Sequence, residues 1–215
     1  MENFVGITTH MRKKIQACGG DPMRETLNLV KTKDGKAYHT DPDGKVWRLI
    51  PFIENTICLQ QATPEAFEAS ARAFGRFQML LADYPAETLH ETIEDFHNTE
   101  DRFKKFMAAL ETDKLGRAKE VQAEVQFVLK RKADCSVALQ AMREGKLPLR
   151  VTHNDTKLNN ILFDAASLEG ICIIDLDTTM PGLSIYDFGD SIRFGANHSA
   201  EDEKDLSKVN FDIEL

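Results

Sequence analysis

Two short stretches gather acidic and amide side chains at the ends of apolar runs. One reads Val151-Thr152-His153-Asn154-Asp155-Thr156-Lys157-Leu158-Asn159-Asn160, the other Ile173-Ile174-Asp175-Leu176-Asp177. Between them, Asp155, Asn160, Asp175 and Asp177 offer oxygen donors and Lys157 a cation. Hard oxygen donors suit Mg²⁺, which takes one or two carboxylates and completes its shell with water and phosphate oxygens. Cysteine is absent from both stretches, and one histidine is thin support for zinc. Taken singly, a strand-end Asp is most simply a turn or cap residue, and His153 a satisfied core histidine. Their joint order, followed by a strand, a turn, a second strand and Asp175, is improbable by accident.

The pattern His153-x-Asp155-x-Lys157-x-x-Asn160, then Asp175, resembles the catalytic loop and metal-binding Asp of protein kinases. It is more similar to the small-molecule branch of that superfamily, which includes aminoglycoside and choline kinases, because Leu176-Asp177 follows Asp175 in place of Phe-Gly. The segment MPGLSIYDFGD from Met180 also resembles the G-D-P-x-x-D-L-A segment of that branch. More narrowly, THNDTKLNNILFD and IDLDTTMPGLSIYDFGDSIRFGA look like the N-acetylhexosamine 1-kinase subgroup.

The resemblance implies an α+β, protein-kinase-like two-lobed fold, with ATP as phosphoryl donor, Mg²⁺ as cofactor and a small sugar as acceptor. It makes Asp155 the group that orients the sugar hydroxyl and takes its proton, and brings Lys157 to the γ-phosphate. Asn160 and Asp175 hold the metal. His153 and Asp187 are structural, the latter bracing the loop. Asp177 is either a further metal contact or an acceptor for a sugar hydroxyl. Phe52, Ile53 and Glu54 form the hinge whose backbone meets adenine, and His97, Asn98 and Arg102 are candidate acceptor contacts. The alternative use of Asn98 or Thr99 is to cap a helix.

The elements that must position these residues are partly readable. Apolar residues at Val5, Ile7, Met11 and Ile15 predict a helix over residues 5–17, stopped by Gly19-Gly20 and Pro22. Between residues 26 and 54, Asp34-Gly35 and Asp43-Gly44 turns separate β-rich runs, predicting a three-stranded meander. Thr63-Pro64 opens a helix with a Phe67, Ala71, Phe74, Phe77 and Leu81 stripe, ended by Pro85. A second helix is expected over residues 99–110, with Phe103, Phe106, Met107 and Leu110 inward, and a third over residues 115–143. Residues 149–152, 160–163 and 171–174 read as short buried strands.

These elements suggest a partial N-terminal lobe over residues 1–54 and a helical C-terminal lobe over residues 55–215. The Gly-rich loop and ATP-binding lysine of the kinase small lobe have no counterpart before Thr26, so the chain is expected to begin inside that lobe and to stop short of the family's last helices. An inactive kinase-like module is therefore a competing reading, alongside a kinase of an aminoglycoside, choline or another alcohol. Asp175-x-Asp177-x-Thr179 also matches the nucleophile motif of haloacid-dehalogenase-type phosphatases, but little chain follows Thr179 to supply their remaining groups.

Composition narrows the class further. The 215 residues carry 27 Lys plus Arg against 35 Asp plus Glu, a formal charge of −8. No basic run exceeds Arg12-Lys13-Lys14 or Lys130-Arg131-Lys132, so no nucleic-acid partner is expected. No apolar stretch is long enough for a membrane span, and the N-terminus has no signal-peptide pattern. Four cysteines without a C-x-x-C pair suggest reduced thiols in the cytoplasm.

Overall fold

The computed structural model describes residues 1–197 and 199–212. By compactness the chain divides into two units. Met1–Thr92 and Arg150–Leu215 make one unit, Ile93–Leu149 another.

In the first unit, helix α1 (Glu2–Ala17) buries Phe4, Ile7, Met11 and Ile15, spaced so that one face meets the core. Gly19, at φ +76°, closes it: the Gly20 N–H donates to Ile15 O at 3.0 Å and the Gly19 N–H to Gln16 O at 3.1 Å. A one-turn helix, α2 (Pro22–Glu25), follows, capped by Asp21.

The expected meander is reduced. Strands β1 (His39–Thr40) and β2 (Val46–Trp47) pair antiparallel, while residues 27–30 form no strand, and the Val30 N–H donates to Leu49 O, just beyond β2, at 2.9 Å. Both turns are present, with Gly35 and Gly44 at positive φ. Val46, Trp47 and Leu49 are more than half exposed, so no buried face extends the pairing.

Strand β3 (Thr56–Ile57) leads to α3 (Pro64–Leu80), with Thr63 as cap and Pro64 in the first turn. The expected stripe of α3 is largely present, with Phe74, Phe77 and Leu81 buried, Phe67 half-buried and Ala71 exposed, and the buried face widens to Ala66, Ala69, Ser70 and Leu80. Close packing explains this. A Cβ on Gly170 would lie 2.7 Å from Ala73 Cβ, so small residues on α3 let the helix lie directly on the strand that Gly170 begins.

In the second unit, α4 (Thr99–Thr112) starts at Asn98, whose side chain accepts the Asp101 N–H at 3.0 Å. The expected inward face is formed in part, with Phe103, Phe106 and Leu110 half-buried. No residue of α4 is buried, and Met107 is exposed. The single helix expected over residues 115–143 is instead two, α5 (Gln122–Lys130) and α6 (Val137–Arg143), separated by a 3₁₀ turn, Lys132–Ser136. There the Ser136 hydroxyl bonds Ala133 O at 3.1 Å, the local competition by which such residues interrupt helices. Only Val125 and Leu139 of these two helices are buried.

Back in the first unit, β4 (Arg150–Thr152) pairs antiparallel with β7 (Met180–Gly182), and β5 (Ile161–Asp164) stands between β3 and β6 (Gly170–Ile173). The β5–β6 pairing matches the sequence reading, whereas β3 and β7 are additional. Phe163 and Ile161 are fully buried here. Cys172 is 1% exposed, and burial pushes its thiol up to about 12. The last helix, α7 (Ser184–Gly195), packs against β4. Among the described residues no helix is long and apolar enough to cross a membrane.

Candidate active site

The loop between β4 and β5 is built on hydrogen bonds to α7. Asp187, 2% exposed, accepts the His153 N–H at 3.0 Å on one carboxylate oxygen and the Asn154 N–H at 2.8 Å on the other. Gln78 of α3 donates to the same carboxylate at 3.1 Å. One turn along α7, Asp190 accepts the Thr156 N–H at 2.8 Å, while the Thr156 hydroxyl donates to Asp187 O at 2.8 Å. Helical spacing puts residues three apart on one face, so a single face of α7 meets three loop amides.

His153 is fully buried, with Phe74 and Phe77 edge-on to its ring. Its Nε2 lies 2.9 Å from Ile174 O, and a carbonyl can only accept, so the proton sits on Nε2. Nδ1 is then the acceptor for the Asp155 N–H at 3.3 Å. Through this ring the loop is joined to the residue preceding Asp175. Asn154 occupies the left-handed region at φ 68°, its amide donating to Thr152 O and Thr178 O.

Asp155 is half-buried and held at both oxygens. Lys157 Nζ is 3.0 Å from one, and Asn160 Nδ2 donates to the other at 2.8 Å. Lys157 Nζ also lies 3.2 Å from Glu201. Burial works against its charged form, but the bonds to Asp155 and Glu201 outweigh it and hold the ammonium above its usual range.

Asn160 Nδ2 gives a second bond to Asp155 O at 2.8 Å, which leaves the Oδ1 of this buried amide for another partner. The Ile174 N–H donates to Asn160 O at 2.9 Å, tying the start of the second stretch to Asn160. Asp175 follows at φ 55°, ψ 54°, with an exposed carboxylate that makes no hydrogen bond among the described residues. An amide oxygen and one accessible carboxylate are the hard, sparse donor set that fits Mg²⁺ shared with phosphate oxygens. No cluster of three or more His, Cys, Asp or Glu suited to a metal occurs among the described residues.

Asp177 is paired with a cation that the motif does not contain. Both its oxygens are taken by Arg48, at 2.6 Å each, and the guanidinium holds its carboxyl below the usual carboxylate range. Arg48 and Glu201 lie outside the quoted segments and reach the site through space, while Thr178 and Asp190 stand inside those segments without a role of their own in the motif.

In the expected hinge, Phe52 is exposed and Ile53 buried. Ile53 O accepts the Thr56 hydroxyl at 2.7 Å, and Glu54 O accepts Arg24 at 2.8 Å. In the second unit, Asn98 serves as the α4 cap and Arg102 donates to Phe96 O at 2.8 Å, so these groups are used by the helix start itself. The His97 ring stands against Phe96, centroids 4.6 Å apart.

A family model described as APH, the phosphotransferase enzyme family, matches residues 26–210. The chain belongs to this family. Solved structures similar to this phosphotransferase include the GDP complex of wild-type aminoglycoside 2'-phosphotransferase-IIIa, at 13% identity and TM-score 0.53, covering 86% of this chain and 61% of the other. A microcompartment-associated aminopropanol kinase aligns at 16% identity and TM-score 0.52, covering 87% of this chain and 58% of its own. The chain thus spans about three-fifths of the length of these structures, and the likeness shows the kinase-like, two-lobed α+β fold.

Proposed function

We propose that this phosphotransferase moves the γ-phosphoryl group of ATP to a hydroxyl of a small sugar, an N-acetylhexosamine phosphorylated at its anomeric position. The observation that carries the reading is the setting of Asp155. Its carboxylate is gripped by Lys157 at 3.0 Å and by Asn160 at 2.8 Å, on a loop whose amides are fixed by Asp187. Phosphoryl transfer asks mainly for positioning and charge stabilisation, and such a loop supplies both.

In this reading Asp155 orients the hydroxyl and takes its proton as the oxygen bonds to the γ-phosphorus and the bond to the β–γ bridging oxygen breaks. Lys157 offsets the charge gathering on the transferred group. Asn160 Oδ1 and the Asp175 carboxylate would hold Mg²⁺, which when bound neutralises and orients the phosphates. The N–H groups of Phe52, Ile53 and Glu54 donate to no protein acceptor among the described residues, which suits an adenine hinge between a lobe over residues 1–54 and one over residues 55–215. Four free cysteines suit the reducing cytoplasm, where ATP is abundant.

The acceptor is tested by ADP release with N-acetylglucosamine, N-acetylgalactosamine, glucose, choline, aminopropanol and kanamycin. The two acetylated sugars should be preferred, with a 1-phosphate product that has lost its reducing end. Preference for an amino alcohol or kanamycin would replace the sugar.

A further inference from the structure

The Asp177 carboxylate is gripped by Arg48, from the N-terminal part of the chain, while the Thr92 hydroxyl donates to Asp177 O at 3.3 Å. Arg48 Nη1 and Nη2 each donate to one Asp177 oxygen at 2.6 Å, the fork-to-fork pairing that only a guanidinium makes. The same guanidinium lies 4.5 Å from the centroid of the Phe4 ring, and the Arg48 side chain is only 23% exposed. It is a seated group rather than a surface arm.

Asp177 is the centre of the 3₁₀ turn Leu176–Thr178, immediately after Asp175. Leu176 is buried, and the Thr178 hydroxyl donates to His153 O at 2.7 Å. Asn154 Nδ2 donates to Thr178 O at 2.9 Å. The turn is therefore fastened below by Leu176, at its far end by the catalytic loop, and at its middle by Arg48 on the Asp177 carboxylate and by the Thr92 hydroxyl on the Asp177 backbone oxygen. Asp175 has no such fastening, yet it sits at φ 55°, where a residue with a Cβ persists only when its surroundings over-determine it.

We infer that Arg48 is a positioning residue for the metal-binding turn: by holding both Asp177 oxygens it keeps Asp175 turned toward the cation, and Asp177 itself stays off the metal. This rests on the assignment of Asp175 and Asn160 to Mg²⁺. It has a sharp rival. If Asp177 were a ligand, Arg48 would compete with the metal for it, and losing Arg48 would tighten metal binding.

The two ideas therefore differ in sign. Mn²⁺ serves as the probe, with a non-hydrolysable ATP analogue present, and its binding is read from the free-ion paramagnetic resonance signal. Arg48→Met keeps an apolar stem on Phe4 and should weaken Mn²⁺ binding by about 10-fold or more, the usual scale for groups that orient a ligand. Asp177→Asn should match it, and the double variant should be no worse than either, because the two act as one unit. Arg48→Lys, which keeps the charge and loses the fork, should fall between, with thermal melting confirming that each variant folds. Unchanged or tighter binding in Arg48→Met would overturn the inference while leaving the metal assignment standing. Wild-type protein that binds no Mn²⁺, or an Asp175→Asn variant that binds it normally, would bring down the assignment and the inference together.

Discussion

Asp187 receives two consecutive backbone N–H groups, those of His153 and Asn154, one on each carboxylate oxygen. A carboxylate is needed because both partners are donors, and an amide offers only one accepting oxygen. The carboxylate is 2% exposed. Asp187→Ala should therefore cost about 3 kcal/mol or more, at about 1.5–3 kcal/mol per bond to a charged group. Urea unfolding measures it, and a loss below about 1 kcal/mol would show the loop to be held by other bonds.

Asp155 should act on the chemical step. Asp155→Asn keeps the shape and the bond from Asn160, so nucleotide and acceptor affinities should stay within a few-fold. The turnover number should drop by about 10² or more, as expected when a general base is removed. A rise in KM with kcat intact would make Asp155 a binding residue instead.

Asp175→Asn should abolish Mg²⁺-dependent turnover, because the amide supplies no negative charge to the cation. Near-normal activity at ordinary Mg²⁺ would refute its place at the metal.

The Arg48–Asp177 pair should carry a pH signature. The Asp177 carboxyl lies below its ordinary 3.8 because of Arg48, so its contribution is complete above that value and disappears as pH falls through the lower folded value. Wild type should thus exceed Asp177→Asn in stability at pH 6, with the gap closing as acid is added below pH 3.8. A gap that persists undiminished at the lowest pH where the protein folds would show that charge is not what holds the pair.

Asn98→Ser retains a capping oxygen and removes the amide. It should leave the stability and the acceptor KM unchanged, whereas Asn98→Ala should lose about 1 kcal/mol. A raised KM in Asn98→Ser would return Asn98 to the acceptor site.

The legible parts of this molecule are those in which chemistry is local in the chain. His153, Asp155, Lys157 and Asn160 stand close together because one loop must present them, and the Thr63-Pro64 start of α3 is written in adjacent residues. The two-residue β3 and the three-residue β7 are too short to show a period of two, and their partners are distant in sequence. The burial of Ala69 and Ser70 on α3 goes with Gly170, a residue far along the chain whose missing side chain lets the helix approach closely. Arg48 and Asp177, 129 positions apart, have no shared pattern at all. Residues 115–143 are apolar at helical intervals, but the Lys132–Ser136 turn interrupts them through side-chain bonds that periodicity does not register.

The burial of Cys172 makes it a silent reporter. Its thiol, at about 12 and 1% exposed, offers almost no thiolate to an alkylating reagent at neutral pH, while Cys18 and Cys58 lie on the surface. Labelling of Cys172 then requires β6 to separate from its neighbours, so its rate times the opening of the very sheet that carries the chain into Asp175. With the exposed cysteines replaced by serine, a nucleotide that braces this sheet would announce itself as a slowed clock, with no turnover needed.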